Sequence, residues 1–263
     1  MATYLDRILA VHRSLADSDT RSLDSLVLAA GTGPPVRPFG AALRGDGLAV
    51  VAEIKRRSPS LGDLDPGLDP ARVAASYEQG GAACLSVLTD ESFFGGSVAD
   101  LAAARAATSL PVLRKDFTVA PADVYDARAM GADAVLLIVA ALTPTELGML
   151  HDLARSLGMD ALVEVHDERD LDVALGAGAT LVGVNQRDLV TFTVDTDRAV
   201  RLAAAIPEGV IKVAESGVDG PEAAARLAEA GYDAVLVGES LIRAGDRADA
   251  VASLRSAALA RRP

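Results

Sequence analysis

Four charged residues lie in or directly after short apolar runs of the sequence. Glu53 and Lys55 end the run AVVAEIK, Lys115 ends LPVLRK, and Glu164 lies within ALVEV. Charges in an apolar interior are costly unless they are paired, which predicts that these four side chains form one ion-pair network. Such a network supplies a proton donor and a proton acceptor for general acid–base catalysis, with a purely structural network as the alternative.

Eight apolar runs alternate with Ala-rich segments that have helical spacing. Glycine precedes several runs, as in QGGAACLSVL, AMGADAVLLI, GAGATLVGVN and EAGYDAVLVG, where it suits the left-handed residue that ends a helix. The alternation predicts an α/β fold, and eight units favour a closed (βα)8 TIM barrel over a doubly wound sheet. The runs are 49–55, 82–88, 110–115, 134–140, 161–165, 180–185, 210–216 and 234–238.

The first 48 residues precede the repeating units. TYLDRILAVHRSLA and SLDSLVLAA have the apolar spacing of two helices, and residues 31–38 interrupt the pattern. We interpret 1–48 as an N-terminal helical extension packed on the barrel and 49–263 as the catalytic barrel. The extension is expected to act either as a cap on the bottom or as a flap that helps to enclose a substrate.

Composition excludes several classes of function. The chain has 263 residues and a net charge of −12, so it lacks the surplus of Lys and Arg that binds nucleic acid or an anionic membrane. The longest uncharged run is far shorter than the ~20 apolar residues that span a bilayer. The single Cys84 lies in an apolar run and is expected to be buried and reduced. We expect a soluble cytoplasmic monomer or weak homodimer with a small-molecule substrate.

Glycine and serine after the last two runs predict a phosphate site. Ser216 and Gly217 follow the seventh run, and Gly238 follows the eighth, before Glu239 and Ser240 begin a helix. Backbone N–H groups attract anions there, and these are the two loops where barrels of this type often hold phosphate. The Glu239 side chain is expected to turn away from the anion.

Other loops at the same end carry hydroxyl and aromatic groups. Ser58, with its neighbours Pro59 and Ser60, is expected near the mouth of the barrel. Phe93 and Phe94 lie side by side in the loop ESFFGGS, where one could line the site of a flat ring while the other packs.

The histidines do not have the spacing of a metal site. His12, His151 and His166 are far apart in the sequence, so no metal is predicted. His166 follows Glu164 closely and could support it.

The motifs VVAEIKRRSPSLG, PVLRKDF, LVEVH, GVNQRDL, VAESGV and VLVGESLIR occur in this order, each at its own strand end. Together they resemble the indole-3-glycerol phosphate synthase family. The resemblance covers residues 49 to about 243 and includes the helical extension. It implies a cofactor-independent enzyme of tryptophan biosynthesis. The enzyme would act on 1-(2-carboxyphenylamino)-1-deoxyribulose 5-phosphate, closing the ring with loss of CO2 and water.

The resemblance also implies roles for individual residues. Lys115 is similar to the family's general acid, Glu164 to its base, and Lys55 to the second cation at the substrate and its phosphate. The resemblance implies polar positioning by Glu53 and Asn185. It implies catalysis and phosphate binding by Ser216, and phosphate binding also by Gly217, Gly238, Glu239 and Ser240. It further implies a charged rim near the anthranilate end, formed by Arg187 and Glu215. Gln186 and Glu239 depart from many relatives.

Two other functions remain open from the residues alone. Phosphoribosyl anthranilate isomerase, another phosphate-binding barrel, is expected to use a Cys and Asp pair, for which Cys84 is badly placed. A non-catalytic barrel that binds a sugar phosphate would not need four inward charges, which cost stability if they do nothing.

Overall fold

A computed structural model of the chain describes residues 3–45, 47–58, 62–188 and 190–259. Eight parallel strands close into a barrel in which each strand pairs with the next along the chain and the last pairs with the first. The predicted (βα)8 barrel with an N-terminal helical extension is therefore confirmed. The strands are β1 Ala49–Ile54, β2 Cys84–Leu88, β3 Val112–Lys115, β4 Ala134–Ile138, β5 Asp160–Val165, β6 Leu181–Asn185, β7 Ile211–Glu215 and β8 Ala234–Val237.

Each of the eight predicted runs overlaps one barrel strand, and the bounds differ by at most two residues at either end. The largest differences lie where the apolar run extends beyond the strand at its start or its end. The fourth run, for example, ends in a 3₁₀ turn, Val139–Ala141. Apolar residues continue into such turns because they still face the core, so hydrophobicity alone does not mark the end of a strand.

Helices follow every barrel strand, and three more precede the first one. Proline occupies the first position of α4, α7, α8 and α11, where its missing N–H costs no helical hydrogen bond. The helices are α1 Tyr4–Ser18, α2 Leu23–Gly31, α3 Phe39–Ala42, α4 Pro70–Gln79, α5 Glu91–Phe94, α6 Val98–Ala107, α7 Pro121–Met130, α8 Pro144–Ser156, α9 Glu168–Gly176, α10 Arg198–Ala203, α11 Pro221–Glu229, α12 Glu239–Arg243 and α13 Arg247–Leu259.

Glycines set the turns that lead into the strands. In the four segments named above, the glycine nearest the strand has a φ between 82° and 90°. A residue with a Cβ adopts this conformation only at a cost, so the predicted left-handed role of these glycines is confirmed. They fix where each strand starts, and so which side chains reach the opposite end.

The extension covers parts of both ends of the barrel. His12 of α1 contacts Asp90, which follows the carboxyl end of β2. The four-residue helix α3 lies at the other end, where the Gly40 N–H donates to Asp160 at the start of β5 over 2.8 Å. Helix α1 therefore contacts the carboxyl end of the barrel and α3 the amino end, and the roles of cap and flap stay predictions. Helix α3 was not predicted, because four residues are too short to show a helical period.

Two loops at the carboxyl ends have more structure than was predicted. In ESFFGGS, helix α5 forms because the Asp90 carboxylate accepts the backbone N–H groups of Phe93 and Phe94. After β1, residues 57–58 pair with residues 62–63 in a short antiparallel hairpin. Pro59 and Ser60 lie outside the described residues.

Cys84 is fully buried, as predicted, and its Sγ lies 3.6 Å from the carbonyl oxygen of Phe39. Within the described ranges, no helix is both long and apolar enough to cross a membrane.

Candidate active site

A cavity of about 320 Å³ opens at the carboxyl ends of the strands. Its floor is apolar, because inward-facing Leu136, Ile138 and Leu236 contribute to it. Most of the predicted site residues line this cavity: Glu53, Lys55, Ser58, Phe94, Lys115, Glu164, Asn185, Arg187, Glu215, Ser216, Gly217, Gly238, Glu239 and Ser240. Of the predicted set, only Phe93 is missing from the lining.

Glu53 and Lys55 form an ion pair on one side of the cavity. Lys55 Nζ lies 2.7 Å from Glu53 Oε1, and both side chains are largely buried. Burial raises the pKa of Glu53, but the ammonium groups of Lys55 and Lys115 outweigh it and hold that pKa below its ordinary value. Glu53 is therefore a carboxylate that keeps Lys55 oriented into the mouth, as the shared strand face predicted.

Lys115, at the end of β3, is surrounded by carboxylates. Its Nζ lies 2.5 Å from Glu215 Oε2 and 3.5 Å from Glu164 Oε2. Burial lowers the pKa of Lys115, but Glu215, Glu164 and Glu53 raise it above its ordinary value. Lys115 is thus held in its ammonium form.

Glu215 does not lie on a charged rim, which corrects the expectation from sequence. Its residue surface is 1% exposed, and it is the third carboxylate of the interior network. Burial and the nearby Glu164 raise the pKa of Glu215 to about 7, although Lys115 opposes them. The inward position of Glu215 could have been predicted from the alternation of side chains along a strand, because Val213 and Glu215 share a face just as Glu53 and Lys55 do.

Asn185 and Arg187 extend the network from β6. Asn185 Nδ2 donates to Glu164 Oε1 over 3.1 Å, and its Oδ1 accepts the backbone N–H of Arg187. The Arg187 guanidinium donates to the carbonyl oxygen of Phe192 and lines the cavity. Asn185 therefore fixes one oxygen of Glu164 while the other faces Lys115.

The predicted phosphate loops lie on the side of the Glu53–Lys55 pair. Ser216 and Gly217 have φ values of 64° and 69°, so both lie in the left-handed region where the loop leaves β7. Gly238 allows the backbone to approach closely, since a Cβ there would meet Glu53 Oε1 and lie 3.0 Å from Lys55 Nζ. These loops form a concave rim with a cation beside it.

Helix α12 contributes one residue that sequence analysis missed. Arg243 lines the cavity, and its guanidinium lies 3.9 Å from Glu239, one turn earlier on the same helix. This cation offsets the negative charge of Glu239. The signal was the four-residue spacing within ESLIR, which places both side chains on one helix face. The Ser240 hydroxyl donates to the carbonyl oxygen of Val218 and so ties α12 to the preceding loop.

The two adjacent phenylalanines have different positions. Phe94 lines the cavity, whereas Phe93 packs edge-on against Tyr4 of α1 with ring centroids 5.8 Å apart. Phe117 and Phe192 also line the cavity and were not singled out from sequence. One apolar side of the mouth is therefore aromatic.

One cluster of potential metal ligands is present among the described residues. The ligand atoms of His12, Asp90 and Asp116 lie within 4.8 Å of one another. His12 Nε2 contacts Asp90 Oδ2 at 2.9 Å, while Asp116 pairs with Arg114 and accepts a hydrogen bond from Thr89. These contacts explain the cluster as the link between α1 and the barrel.

Comparisons with known proteins bear on the identity of this cavity. The family model described as indole-3-glycerol phosphate synthase matches residues 5–254. A Mycobacterium avium protein of that name is 52% identical over 258 residues, covering 97% of this chain and 95% of that protein. Indole-3-glycerol phosphate synthase 2 of Streptomyces coelicolor is 54% identical over 217 residues, covering 82% of this chain and 84% of that protein.

A solved structure extends the comparison to the fold alone. Thiamine phosphate pyrophosphorylase from Pyrococcus furiosus superposes with a TM-score of 0.60 at 16% identity, covering 80% of this chain and 95% of that one. The match to the family model, over nearly the whole chain, and the relatives above half identity are the deciding findings. The chain belongs to the indole-3-glycerol phosphate synthase family.

Proposed function

We propose that this cavity closes the indole ring of 1-(2-carboxyphenylamino)-1-deoxyribulose 5-phosphate by general acid–base catalysis. The chain is a carboxy-lyase of tryptophan biosynthesis, as its family membership indicates. The observation that carries the mechanism is the convergence of two ammonium groups and three carboxylates in one cavity beside the glycine-rich loops.

Lys115 is assigned as the general acid. When the ring carbon that bears the carboxylate attacks the ketone, electrons move to the ketone oxygen, and Lys115 supplies a proton to it. The surrounding carboxylates support this role because they keep Lys115 protonated at neutral pH. Loss of CO2 then returns an electron pair to the ring system, and loss of water restores aromaticity.

Glu164 is assigned as the base of the dehydration step. Asn185 holds its Oε1, and Oε2 faces Lys115 at 3.5 Å, so the acid and the base act on the same side of the substrate. Glu53 orients Lys55, and the proximity of Lys55 Nζ to Gly238 supports a role for this cation at the phosphate.

The phosphate is assigned to the rim formed by Ser216, Gly217 and Gly238, with Ser240 and the backbone of Glu239 beside them. These residues line the cavity, and Arg243 also lines it and adds positive charge. The anthranilate ring is assigned to the apolar side of the mouth, near Phe94. Ser58 and Arg187 are assigned to polar contacts at the rim of that side.

The alternatives are less well supported by the same geometry. Cys84, the thiol that an isomerase of the preceding step would need, is fully buried and contacts Phe39 at the opposite end of the barrel. A non-catalytic phosphate-binding barrel gains nothing from five buried charges at its mouth, which cost stability when they do not act on a ligand.

Substitution of the acid and the base separates a catalyst from a binder. We expect Lys115→Ala and Glu164→Gln to lower kcat by roughly 10²- to 10⁴-fold while affinity for inorganic phosphate stays near that of the wild type. Lys212→Ala is the matched control, because Lys212 is also a partly buried strand lysine but donates to the carbonyl oxygen of Ala203 in α10. A folded Lys115→Ala variant with wild-type kcat would refute the assignment.

The compartment, the oligomeric state and the binding partners of the protein also belong to the proposal. We propose a cytoplasmic enzyme that acts as a monomer or weak homodimer and binds neither nucleic acid nor membrane. The net charge of −12 supports this, since it opposes binding to polyanions. Sedimentation at several protein concentrations measures the oligomeric state directly.

A further inference from the structure

The proposed reaction consumes one proton in each turnover. The substrate carries a carboxylate anion, whereas the CO2 that leaves is neutral, so one proton must enter for every carboxylate lost. The water molecule takes its second proton from the substrate itself and leaves this balance unchanged. Both groups assigned to acid–base chemistry are shielded from solvent: Glu164 is 2% exposed, and the side chain of Lys115, at 15%, faces the cavity that the substrate fills. The site therefore needs a route by which Lys115 regains a proton. This inference rests on the proposed function.

His166 lies between the network and solvent. Its Nε2 is 3.6 Å from Glu164 Oε1, and its Nδ1 is 3.6 Å from Asp170 Oδ2. Both ring nitrogens are buried, and neither makes a hydrogen bond. Side-chain exposure rises outward along this row, from 2% at Glu164 to 15% at His166 and 20% at Asp170. The ring is held there because the backbone N–H of His166 donates to Asp170 over 3.0 Å.

We propose that His166 is a positioning residue that passes a proton from solvent, at the Asp170 side of the ring, to Glu164, and so recharges Lys115. The distances of 3.6 Å are longer than hydrogen bonds, and such contacts in an empty site often shorten when substrate binds.

The transfers balance at each step. The imidazolium of His166 releases its Nε2 proton to Glu164 Oε1, and the neutral ring regains a proton from solvent at Nδ1, beside the Asp170 carboxylate. The protonated carboxyl group of Glu164 then turns so that this oxygen faces Lys115, and it gives the proton to the neutral amine of Lys115, which has just protonated the ketone oxygen. Each transfer breaks one N–H or O–H bond and forms another. Asn185 supports the route because, before the transfer, it holds Glu164 with Oε1 toward His166 and Oε2 toward Lys115.

The charged groups around the ring set the pH range of the relay. They are Glu164 on β5, Asp170 on α9 and Arg198 on α10. Burial lowers the pKa of His166, but Asp170 and Glu164 raise it above its ordinary value, and Arg198 opposes them. The ring is protonated below that pKa and supplies the proton; above it, the supply fails.

His166→Gln tests the relay, since the amide keeps polar contacts but cannot pass a proton. We expect kcat to fall about tenfold, less than direct acid–base groups contribute, while KM stays within about twofold. In a pH profile, we expect the wild-type kcat to fall at alkaline pH as His166 loses its proton. This decrease should be absent in His166→Gln. In His166→Ala, which leaves space for a small molecule, added imidazole restores turnover.

His151→Gln is the matched control. His151 is also buried, lies on α8 and is not among the residues that line the cavity. We expect its pH profile to match that of the wild type and imidazole to have no effect.

Two results would overturn the relay. One is a folded His166→Gln variant whose kcat and pH profile equal those of the wild type. The other is a lower kcat with an unchanged profile and no response of His166→Ala to imidazole, because a purely structural role would give that result. A wild-type enzyme that forms no indole product would instead reject the proposed function.

Discussion

Glu215 shows how the interior of the barrel sets the protonation of one carboxyl group. Lys115 provides one ammonium group, but Glu215, Glu164 and Glu53 all lie close enough to affect its pKa. Because burial penalises each negative charge, the network favours one protonated carboxyl, and the pKa of Glu215 rises to about 7. A carboxyl that titrates near neutral pH inside the cavity can hold or release a proton during the reaction.

The raised pKa of Glu215 predicts a pH dependence of stability. The folded state holds a proton on Glu215 that the unfolded state releases above about pH 4.5, so this contribution is full below that pH and is lost as the pH rises to about 7. Glu215→Gln, which resembles the protonated form, should therefore gain stability relative to the wild type across this interval. Urea unfolding of both proteins measures the difference, and a difference independent of pH would contradict the assignment.

Individual charged residues were largely predictable, but their partners were not. The two-residue spacing of Glu53 and Lys55 was enough to predict that both side chains point into the barrel. Glu215 was expected on a charged rim from the family resemblance, whereas the structure buries it. Its pairing with Lys115 joins residues 100 positions apart and depends on how the strands close around the barrel.

Among the elements, α1 packs against α5, and α5 contributes Phe94 to the cavity. Tyr4 of α1 packs on Phe93 of α5, and His12 of α1 contacts Asp90, which caps α5. Sequence periodicity predicted α1 but not its position, since these contacts join distant segments. Helix α5 was missed because its four residues are stabilised mainly by the Asp90 cap and by packing.

Substitution of the two neighbouring phenylalanines tests this arrangement. Phe94→Ala should raise KM about tenfold, because about 1.4 kcal/mol of apolar contact with the substrate ring is lost. Phe93→Ala is the matched control, since Phe93 contacts α1 rather than the cavity, and its KM should change much less. Steady-state kinetics of both variants give the comparison. Equal KM values, or a larger effect at Phe93, would be inconsistent with an aromatic wall at Phe94.

The whole molecule separates its structural and chemical tasks between the two ends of the barrel. At the amino ends of the strands, buried Phe39 and the left-handed glycines fix the closure of the barrel. At the carboxyl ends, paired charges replace apolar packing. The fold was predictable from the sequence, because eight repeated strand–helix units specify a closed barrel even when no single contact is known. The short hairpin, α3 and α5 depend on local capping and tertiary contacts, which the repeat does not encode.

Product formation by the wild-type protein tests the central claim most directly. The protein has no Trp, so the fluorescence of an indole product rises against only four Tyr when purified protein is mixed with the carboxyphenylamino ribulose phosphate. The mechanism predicts one CO2 released and one proton taken up for each indole formed. Folded protein that binds the substrate but gives neither indole fluorescence nor CO2 would contradict the account.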